Sequence, residues 1–283
     1  MISGISAGYL RRLGISDPGT PSAEALFALQ RAHLERIPYE NIDIQLGRPP
    51  GIDPELSARR IAAGRGGYCF HLNGAFAALL ESLGYEVTRH VGGVYEDLDA
   101  REVNGNHMAL VVRVDGTPYF VDAGLGDGPY DPLPLLEGSY EQGEFGYRME
   151  PLTGPDGPGW SLQSAGGPFP VTNFRAAPSV IADFEAEHLR LSTAEDSSFV
   201  RTLTLLRRDA EGIDLLRGRV LTRIDGAKGP SETELTGAEE FYDAIATVFG
   251  RELDDLTADD RAALWTKVTR AHEAWLTEQA AKA

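Results

Sequence analysis

The chain of 283 residues contains one cysteine, Cys69. A single cysteine cannot form an internal disulfide, and it cannot supply the several thiolates of a cysteine-based zinc site. Basic residues are scarce as well, since 26 Lys and Arg stand against 43 Asp and Glu and give a formal net charge of −17. This charge repels nucleic-acid phosphates and anionic membranes, so we expect neither as a main partner.

Long apolar runs are also missing from the sequence. No stretch approaches the ~18 apolar residues of a membrane span. Residues 1–16 lack the basic segment and continuous apolar run of a secretory signal. We therefore expect no membrane association and a cytoplasmic location, where a lone thiol stays reduced. The hydrophobic share of 42% and the charged share of 24% are typical of a folded globular chain.

The first third of the chain has a helical pattern of apolar residues. Thr20 followed by Pro21 predicts a helix start, because a hydroxyl can cap the helix and proline suits its first position. Further helices are predicted over 54–62 and from Cys69 onward, the latter ending at a capping glycine, Gly84.

The middle third changes to an extended pattern. Residues 126–134 and 154–159 are rich in loop-forming residues, and Asp115-Gly116 predicts a two-residue hairpin turn. β-Branched and aromatic residues predict strands at 87–94, 108–114 and 119–121. An antiparallel sheet or barrel is therefore expected after the helices.

The last third combines both patterns. Strands are predicted at 160–163, 199–207 and 215–224. Two later helices are predicted from capping boxes, and the final one also from an apolar stripe; the residues are Thr236 with Glu239, Thr257 with Asp260, and Leu264, Val268, Ala271 and Trp275.

Cys69 follows two glycines, Gly66 and Gly67, and stands at the expected start of a helix. The glycines allow a tight turn. The N-terminus of a helix favours a thiolate over a thiol through its free N–H groups and partial positive charge. This placement is typical of a nucleophilic cysteine, and a small buried core thiol is the alternative interpretation.

A cysteine nucleophile needs a base, and the base needs a group that orients it. Among the six histidines, His107 opens the strand before the Asp115-Gly116 turn, and Asp122 closes the strand after it. With a two-residue turn, His107 lies opposite Gly124 and on the same face as Asp122, within reach of a hydrogen bond. A three-residue turn would place the pair on opposite faces, and an aspartate at a strand end can also simply cap a turn.

Four segments, in this order and spacing, resemble the arylamine N-acetyltransferase family, and weaker similarity extends to Trp265. They are Ile37-Pro38-Tyr39-Glu40-Asn41, Arg65-Gly66-Gly67-Tyr68-Cys69, His107-Met108 and Val121-Asp122-Ala123-Gly124-Leu125-Gly126. The resemblance implies an α+β fold with an N-terminal helical bundle at 1–85, a central antiparallel β-barrel at 86–195 and a C-terminal α/β lid at 196–283. It also implies a catalytic triad of Cys69, His107 and Asp122.

The implied activity transfers an acetyl group from acetyl-coenzyme A to an arylamine or arylhydrazine. A thioester on Cys69 would separate the two steps and give ping-pong kinetics. The resemblance places Gly124, Leu125 and Gly126 beside the cofactor, and Tyr39 and Leu125 in the acceptor pocket. It implies no metal ion.

Three alternatives remain at this stage. An amide synthase that releases a carrier-bound polyketide chain as a macrolactam would use the same triad, with an acyl carrier protein as partner. A cysteine hydrolase would pass the acyl group to water, and a binding module would not use the triad at all. Leu125 and Asp127 favour keeping the amide synthase, because many relatives have phenylalanine and glycine at these two positions.

Overall fold

The computed structural model describes residues 4–165 and 167–282. Its N-terminal part consists of five helices and one short strand, β1 (Tyr39–Glu40); the helices are α1 (Gly4–Arg12), α2 (Ala23–Arg36), α3 (Ile42–Gln45), α4 (Pro54–Ala62) and α5 (Cys69–Ser82). The predicted start at Thr20 is wrong by two residues, since Ser22 caps α2 and its side chain accepts the N–H of Ala25. The predicted helix over 54–62 is confirmed.

Eight antiparallel strands follow and curl into a nearly closed barrel. Their order across the sheet is β5-β4-β3-β2-β9-β8-β7-β6. The strands are β2 (Glu86–Tyr95), β3 (His107–Val114), β4 (Thr117–Val121), β5 (Leu133–Pro134), β6 (Gly138–Gln142), β7 (Phe145–Gly154), β8 (Gly157–Ala165) and β9 (Val171–Ser179). The strands predicted at 87–94, 108–114 and 119–121 are thereby confirmed.

A second antiparallel sheet combines one strand of the N-terminal helical part with four strands that follow the barrel. Its order is β1-β10-β11-β12-β13, so the N-terminal strand β1 forms its edge. A 3-10 helix (Ile181–Phe184), α6 (Glu185–Thr193) and α7 (Ser198–Arg201) lead from the barrel into this sheet. It contains β10 (Thr204–Arg208), β11 (Gly212–Arg217), β12 (Val220–Asp225) and β13 (Gly229–Glu234), and is followed by α8 (Ala238–Thr247) and α9 (Ala258–Lys282). The α+β fold class is therefore confirmed.

Two predicted strands are corrected by the structure. The segment 199–207 begins as helix α7, because Ser197 caps it through the N–H of Phe199. The run 215–224 is a hairpin of β11 and β12, in which Gly218 takes a φ of +61° at the turn. The predicted loop at 154–159 is also wrong in extent, since only two residues separate β7 from β8.

The predictions for the last two helices are partly confirmed. Thr257 and Asp260 form the expected capping box, with each backbone N–H bonded to the other side chain at 3.0 and 3.1 Å. The box at Thr236 and Glu239 is wrong, because Gly237 is the capping residue of α8 and no side chain caps it. The apolar stripe of α9 is buried only at Leu264 and Val268, whereas Trp275 is 48% exposed and Ala271 is also exposed.

The buried residues within the described part of the chain form three hydrophobic clusters, and Cys69 belongs to the one in the helical part. Across the residues that the structure describes, no helix is both long and apolar enough to cross a bilayer. Nor do three or more His, Cys, Asp or Glu side chains within 4–165 and 167–282 come together in a group that could hold a metal ion.

Candidate active site

Cys69 is the first residue of α5, and the two glycines before it are required by close packing. A Cβ atom on Gly66 would stand 2.1 Å from the carbonyl oxygen of Pro38, and one on Gly67 would stand 2.6 Å from Cβ of His71. The predicted tight turn into a helix N-terminus is thus confirmed. The N–H groups of Cys69 and Phe70 have no preceding helical turn to bond, whereas the N–H of His71 bonds the carbonyl oxygen of Tyr68 at 2.9 Å.

The hairpin that carries His107 and Asp122 has the expected register. Val114 pairs with Thr117, and Leu110 pairs with Val121. The turn residues Asp115 and Gly116 have φ values of +50° and +81°, as a two-residue turn of the primed type requires. His107 Nε2 and Asp122 Oδ2 are 2.6 Å apart, so the imidazole N–H donates a hydrogen bond to the carboxylate.

The glycine that the structure pairs with His107 is Gly92 of β2, where the sequence had suggested Gly124. A Cβ atom on Gly92 would stand 3.4 Å from the imidazole. Gly124 instead packs against the neighbouring helix, and its Cβ would stand 2.9 Å from both Cα of Cys69 and the side-chain amide of Asn73. The absent side chain at Gly124 therefore lets the turn after β4 approach the cysteine.

His107 and Asp122 are both 1% exposed. Burial by itself would lower the pKa of His107, but the charge of Asp122, its hydrogen bond and a hydrogen bond to Cys69 together raise this pKa to about 10. The carboxylate of Asp122 therefore favours the protonated form of the imidazole. In the thiol form, Cys69 Sγ lies 3.4 Å from the carbonyl oxygen of Asn106, which can accept its hydrogen bond.

Asn73 belongs to this site, and the sequence interpretation missed it. Its side-chain amide donates to Asp122 Oδ1 at 2.8 Å and to the carbonyl oxygen of Met108 at 2.6 Å, and its own oxygen accepts the N–H of Ala123 at 2.8 Å. Asn73 lies four residues after Cys69 on α5, so both side chains fall on one face of the helix. That spacing is the signal that could have identified it.

A cavity of about 300 Å³ opens above Cys69 and His107. Tyr39, Gly124 and Leu125, predicted to line substrate sites, all contribute to its walls, whereas Gly126 packs behind them against Leu206 and Tyr39. Asp122 lies behind His107 and does not line the cavity. Residues that the sequence interpretation missed complete the lining: Asn41, Val94, Glu96, Asn106, Pro168, Phe169, Ser198, Phe199, Thr202, Thr204, Leu215 and Arg217.

Asn41 holds the segment around α7 at the cavity wall through side-chain hydrogen bonds. Its amide donates to the carbonyl oxygens of Phe199 and Thr202 at 2.9 and 2.8 Å, and its oxygen accepts the N–H of Thr204 at 2.9 Å. These bonds fix the chain at the point where it leaves the helical part and enters β10. Among the described lining residues, Arg217 is the only arginine or lysine.

The comparisons with known proteins agree with this fold and cavity. The sequence model of the N-acetyltransferase family matches residues 22–257. An arylamine N-acetyltransferase of Mycolicibacterium smegmatis is 34% identical over 89% of this chain and 94% of its own. The chain therefore belongs to the arylamine N-acetyltransferase family, as its motifs predicted.

Two further relatives bear on the substrates. The structure of Mycobacterium marinum arylamine N-acetyltransferase in complex with CoA covers 94% of this chain and 98% of its own, with a TM-score of 0.82 and 28% identity. The proansamycin X synthase of Amycolatopsis mediterranei is 33% identical, but its match covers 49% of this chain and 54% of its own.

Proposed function

We propose that the protein transfers an acetyl group from acetyl-coenzyme A to an arylamine or arylhydrazine, with Cys69 as the nucleophile. The observation that carries this proposal is the buried His107, which donates a hydrogen bond to Asp122 and lines the floor of a cavity together with Cys69. A buried structural thiol would need neither a charged partner nor an open cavity above it.

In the first step, His107 holds the proton of Cys69, and the thiolate attacks the carbonyl carbon of the thioester. The bond between that carbon and the sulfur of coenzyme A breaks, and His107 protonates the departing thiolate. The product is an acetyl thioester on Cys69. The backbone N–H of Cys69, at the N-terminus of α5, is a suitable donor for the oxyanion that forms in this step.

In the second step, the amine nitrogen attacks the acetyl carbon, and His107 accepts the proton that the amine loses. The bond to Sγ breaks, the amide leaves, and the thiolate–imidazolium pair is restored. Asp122 keeps the imidazole in one orientation and stabilises its positive charge throughout. Since coenzyme A leaves before the amine reacts, the kinetics are ping-pong.

The cavity suits both substrates. Val94, Leu125 and Phe199 supply apolar wall, against which an aromatic ring or the apolar part of a thioester chain can pack. Arg217 is exposed at the cavity and supplies positive charge for an anionic substrate, in a chain whose net charge is −17. The CoA complex of the M. marinum relative supports coenzyme A as that substrate.

An amide synthase that releases a carrier-bound acyl chain as a macrolactam is the second candidate. The proansamycin X synthase match favours it, but that match covers 49% of the chain, whereas the M. smegmatis acetyltransferase match covers 89%. Both candidates use the same acyl-thioester chemistry and differ in the acyl donor.

The test is to incubate the protein with acetyl-coenzyme A and to follow its intact mass. Because Cys69 is the only cysteine, a hydroxylamine-sensitive acetyl adduct that is absent from the Cys69→Ser variant must be its thioester. We expect one adduct, which an arylamine removes as the acetylated amine. An adduct that water clears as fast as amine would indicate a hydrolase. No adduct from acetyl-coenzyme A, with one formed from a carrier-bound thioester, would favour the amide synthase.

A further inference from the structure

Asp127 is a buried acid beside the cavity that the proposed mechanism does not use. It belongs to the turn after β4, yet its side chain bonds a different part of the barrel: Oδ2 accepts the backbone N–H of Phe169 at 3.0 Å. Asp127 is 4% exposed, and it does not line the cavity itself. The cavity wall on this side is formed by Pro168 and Phe169.

The loop that carries Phe169 packs tightly against the carboxyl group of Asp127. A Cβ atom on Gly167 would stand 2.9 Å from Asp127 Oδ2, so a side chain at residue 167 would force the carboxyl or the loop to shift. The loop connects β8 to β9, and its other described anchor is the bond from Ser164 N–H to the carbonyl oxygen of Pro170 at 2.8 Å. Asp127 therefore joins the turn that carries Gly124 and Leu125 to the loop that carries Phe169.

We propose that Asp127 is a positioning residue that sets the acceptor specificity of the site: it holds Phe169 as a fixed wall of the cavity above Cys69, and so limits the size of the group that reaches the sulfur. The part that concerns the amine rests on the proposed function. The part that concerns access to Cys69 does not.

The hydrogen bond from the Phe169 N–H to Asp127, rather than the charge of Asp127, holds Phe169 in place. Burial raises the pKa of Asp127 to about 7, against hydrogen bonds that lower it, so neutral and ionised forms coexist near neutral pH. Either form has an oxygen that accepts the Phe169 N–H. Asparagine keeps such an oxygen at nearly the same size, whereas alanine removes it. The variant Asp127→Asn should therefore keep the wall in place, and Asp127→Ala should release it.

The first experiment measures access to Cys69 without any enzymatic turnover. Iodoacetamide and its bulkier N-naphthyl derivative alkylate the single thiol, and the ratio of their rates reports the opening above it. We expect Asp127→Ala to raise the relative rate of the bulky reagent by about tenfold, the range in which a pocket discriminates one or two extra groups. Wild type and Asp127→Asn should have equal, low ratios.

The control variant is Asp225→Ala. Asp225 likewise holds a turn through its carboxylate, which accepts the N–H groups of Ala227 and Lys228 at 3.0 and 3.1 Å, but it does not line the cavity. Its alkylation ratio should equal that of wild type. If Asp225→Ala or Asp127→Asn raises the ratio as much as Asp127→Ala does, the proposal is wrong, because a general loosening or the lost charge would be the cause.

A double-mutant cycle tests whether Asp127 acts through Phe169. Phe169→Ala removes the ring and keeps the backbone N–H, so by itself it should open the cavity to the bulky reagent. Adding Asp127→Ala to it should then change the ratio little, since the wall is already gone. A further increase of the same size as in the wild-type background would overturn the assignment.

Enzymatic assays then extend the test to the acceptor. With small and bulky arylamines, Asp127→Ala should shift the ratio of kcat/KM toward the bulky amine by about tenfold. An unchanged ratio would overturn the specificity role. If wild type forms no acetyl adduct, the proposed function fails, and the alkylation ratios still decide the role of Asp127.

Discussion

At the scale of single residues, the two oxygens of Asp122 have different partners. Oδ2 accepts the imidazole N–H of His107. Oδ1 accepts three hydrogen bonds, from the side-chain amide of Asn73 and the backbone N–H groups of Gly124 and Leu125, at 2.8, 2.9 and 3.1 Å. Because the Oδ1 position faces only donors, an asparagine at this site can be oriented in one way only, with its oxygen there and its NH₂ toward His107.

The variant Asp122→Asn should therefore reverse the proton positions on His107. The NH₂ group would donate to Nε2, the ring proton would move to the nitrogen that faces Cys69, and the imidazole could no longer take the thiol proton. We expect kcat/KM for acetyl transfer to fall by about 10⁴-fold, as it does in a Ser-His-Asp triad when the same substitution places the ring proton on the wrong nitrogen. Thermal unfolding should change little by comparison. A loss of less than tenfold would contradict the role given to Asp122.

Asn73 should contribute mainly to stability and to the position of Asp122. Asn73→Ala leaves the carbonyl oxygen of Met108 and the N–H of Ala123 without this partner inside the protein, so we expect the free energy of unfolding to fall by about 2–4 kcal/mol. Denaturant unfolding measures this. Asn104→Ala, at an exposed asparagine whose side chain accepts one backbone N–H, is the control and should cost far less.

The sequence predicted the residues of the site that lie close together along the chain. His107 and Asp122 could be paired because one two-residue turn determines their register. Phe169 and Arg217 could not be predicted as cavity residues, because their positions depend on how distant strands of the barrel and the second sheet close around Cys69. Asn73 lies between these cases, since its position follows from helical spacing but its partners do not.

At the scale of elements, α8 and α9 start in different ways although their sequences look alike. Thr257 and Asp260 cap α9 reciprocally, whereas Thr236 stands one residue too early to cap α8 and only its backbone N–H bonds Glu240. A capping pattern in sequence cannot identify the residue at which the backbone first turns into the helix. The neighbouring glycine, Gly237, provides that position for α8.

The variant Thr257→Ala should lower the free energy of unfolding by about 1 kcal/mol, because the N–H of Asp260 loses its cap. Differential scanning calorimetry should record a fall of roughly 2–4 °C in the melting temperature for a chain of this size. Thr236→Ala is the matched control, since its hydroxyl does not cap α8, and it should have a clearly smaller effect. Equal effects of the two variants would contradict this account of the helix starts.

Strands were predicted well where a turn interrupts the pattern and poorly where it does not. Asp115-Gly116 separates β3 from β4 in the sequence, and both strands were predicted. In contrast, the strand-like pattern from Leu215 to Ile224 continues through the turn at Gly218, so two strands looked like one. The local signal of this turn is a single glycine between two arginines, and the sequence does not show that this glycine has a positive φ.

At the scale of the whole molecule, buried acids make stability depend on pH. In the folded protein the pKa of Asp127 is about 7, raised by burial from the ordinary value of 3.8. Between these two values the folded protein binds more protons than the unfolded chain, so the contribution of this group to stability falls as the pH rises from about 4 to 7. Above pH 7 the contribution is constant.

The variant Asp127→Asn should lack this loss. Its free energy of unfolding, measured relative to wild type, should rise from pH 4 to pH 7 by up to about 4 kcal/mol, at about 1.4 kcal/mol per unit of pKa shift. Asp225→Asn should show a trend of opposite sign only below about pH 4, where this group titrates, because backbone hydrogen bonds lower the pKa of Asp225. Urea unfolding at a series of pH values measures both trends. A difference that is independent of pH for Asp127→Asn would contradict the raised pKa.

The strand β1 has a consequence for the order in which a growing chain can fold. Tyr39 and Glu40 lie beside the turn that leads to Cys69, but they pair in the sheet with Leu205 and Leu206, and Glu40 forms a buried ion pair with Arg251, 211 positions later. Because synthesis proceeds from the N-terminus, these partners do not yet exist when the helical core is complete. The wall of the cavity formed by β10 and β11 can therefore assemble only after the helical core, and Cys69 is not enclosed until these strands have been synthesised.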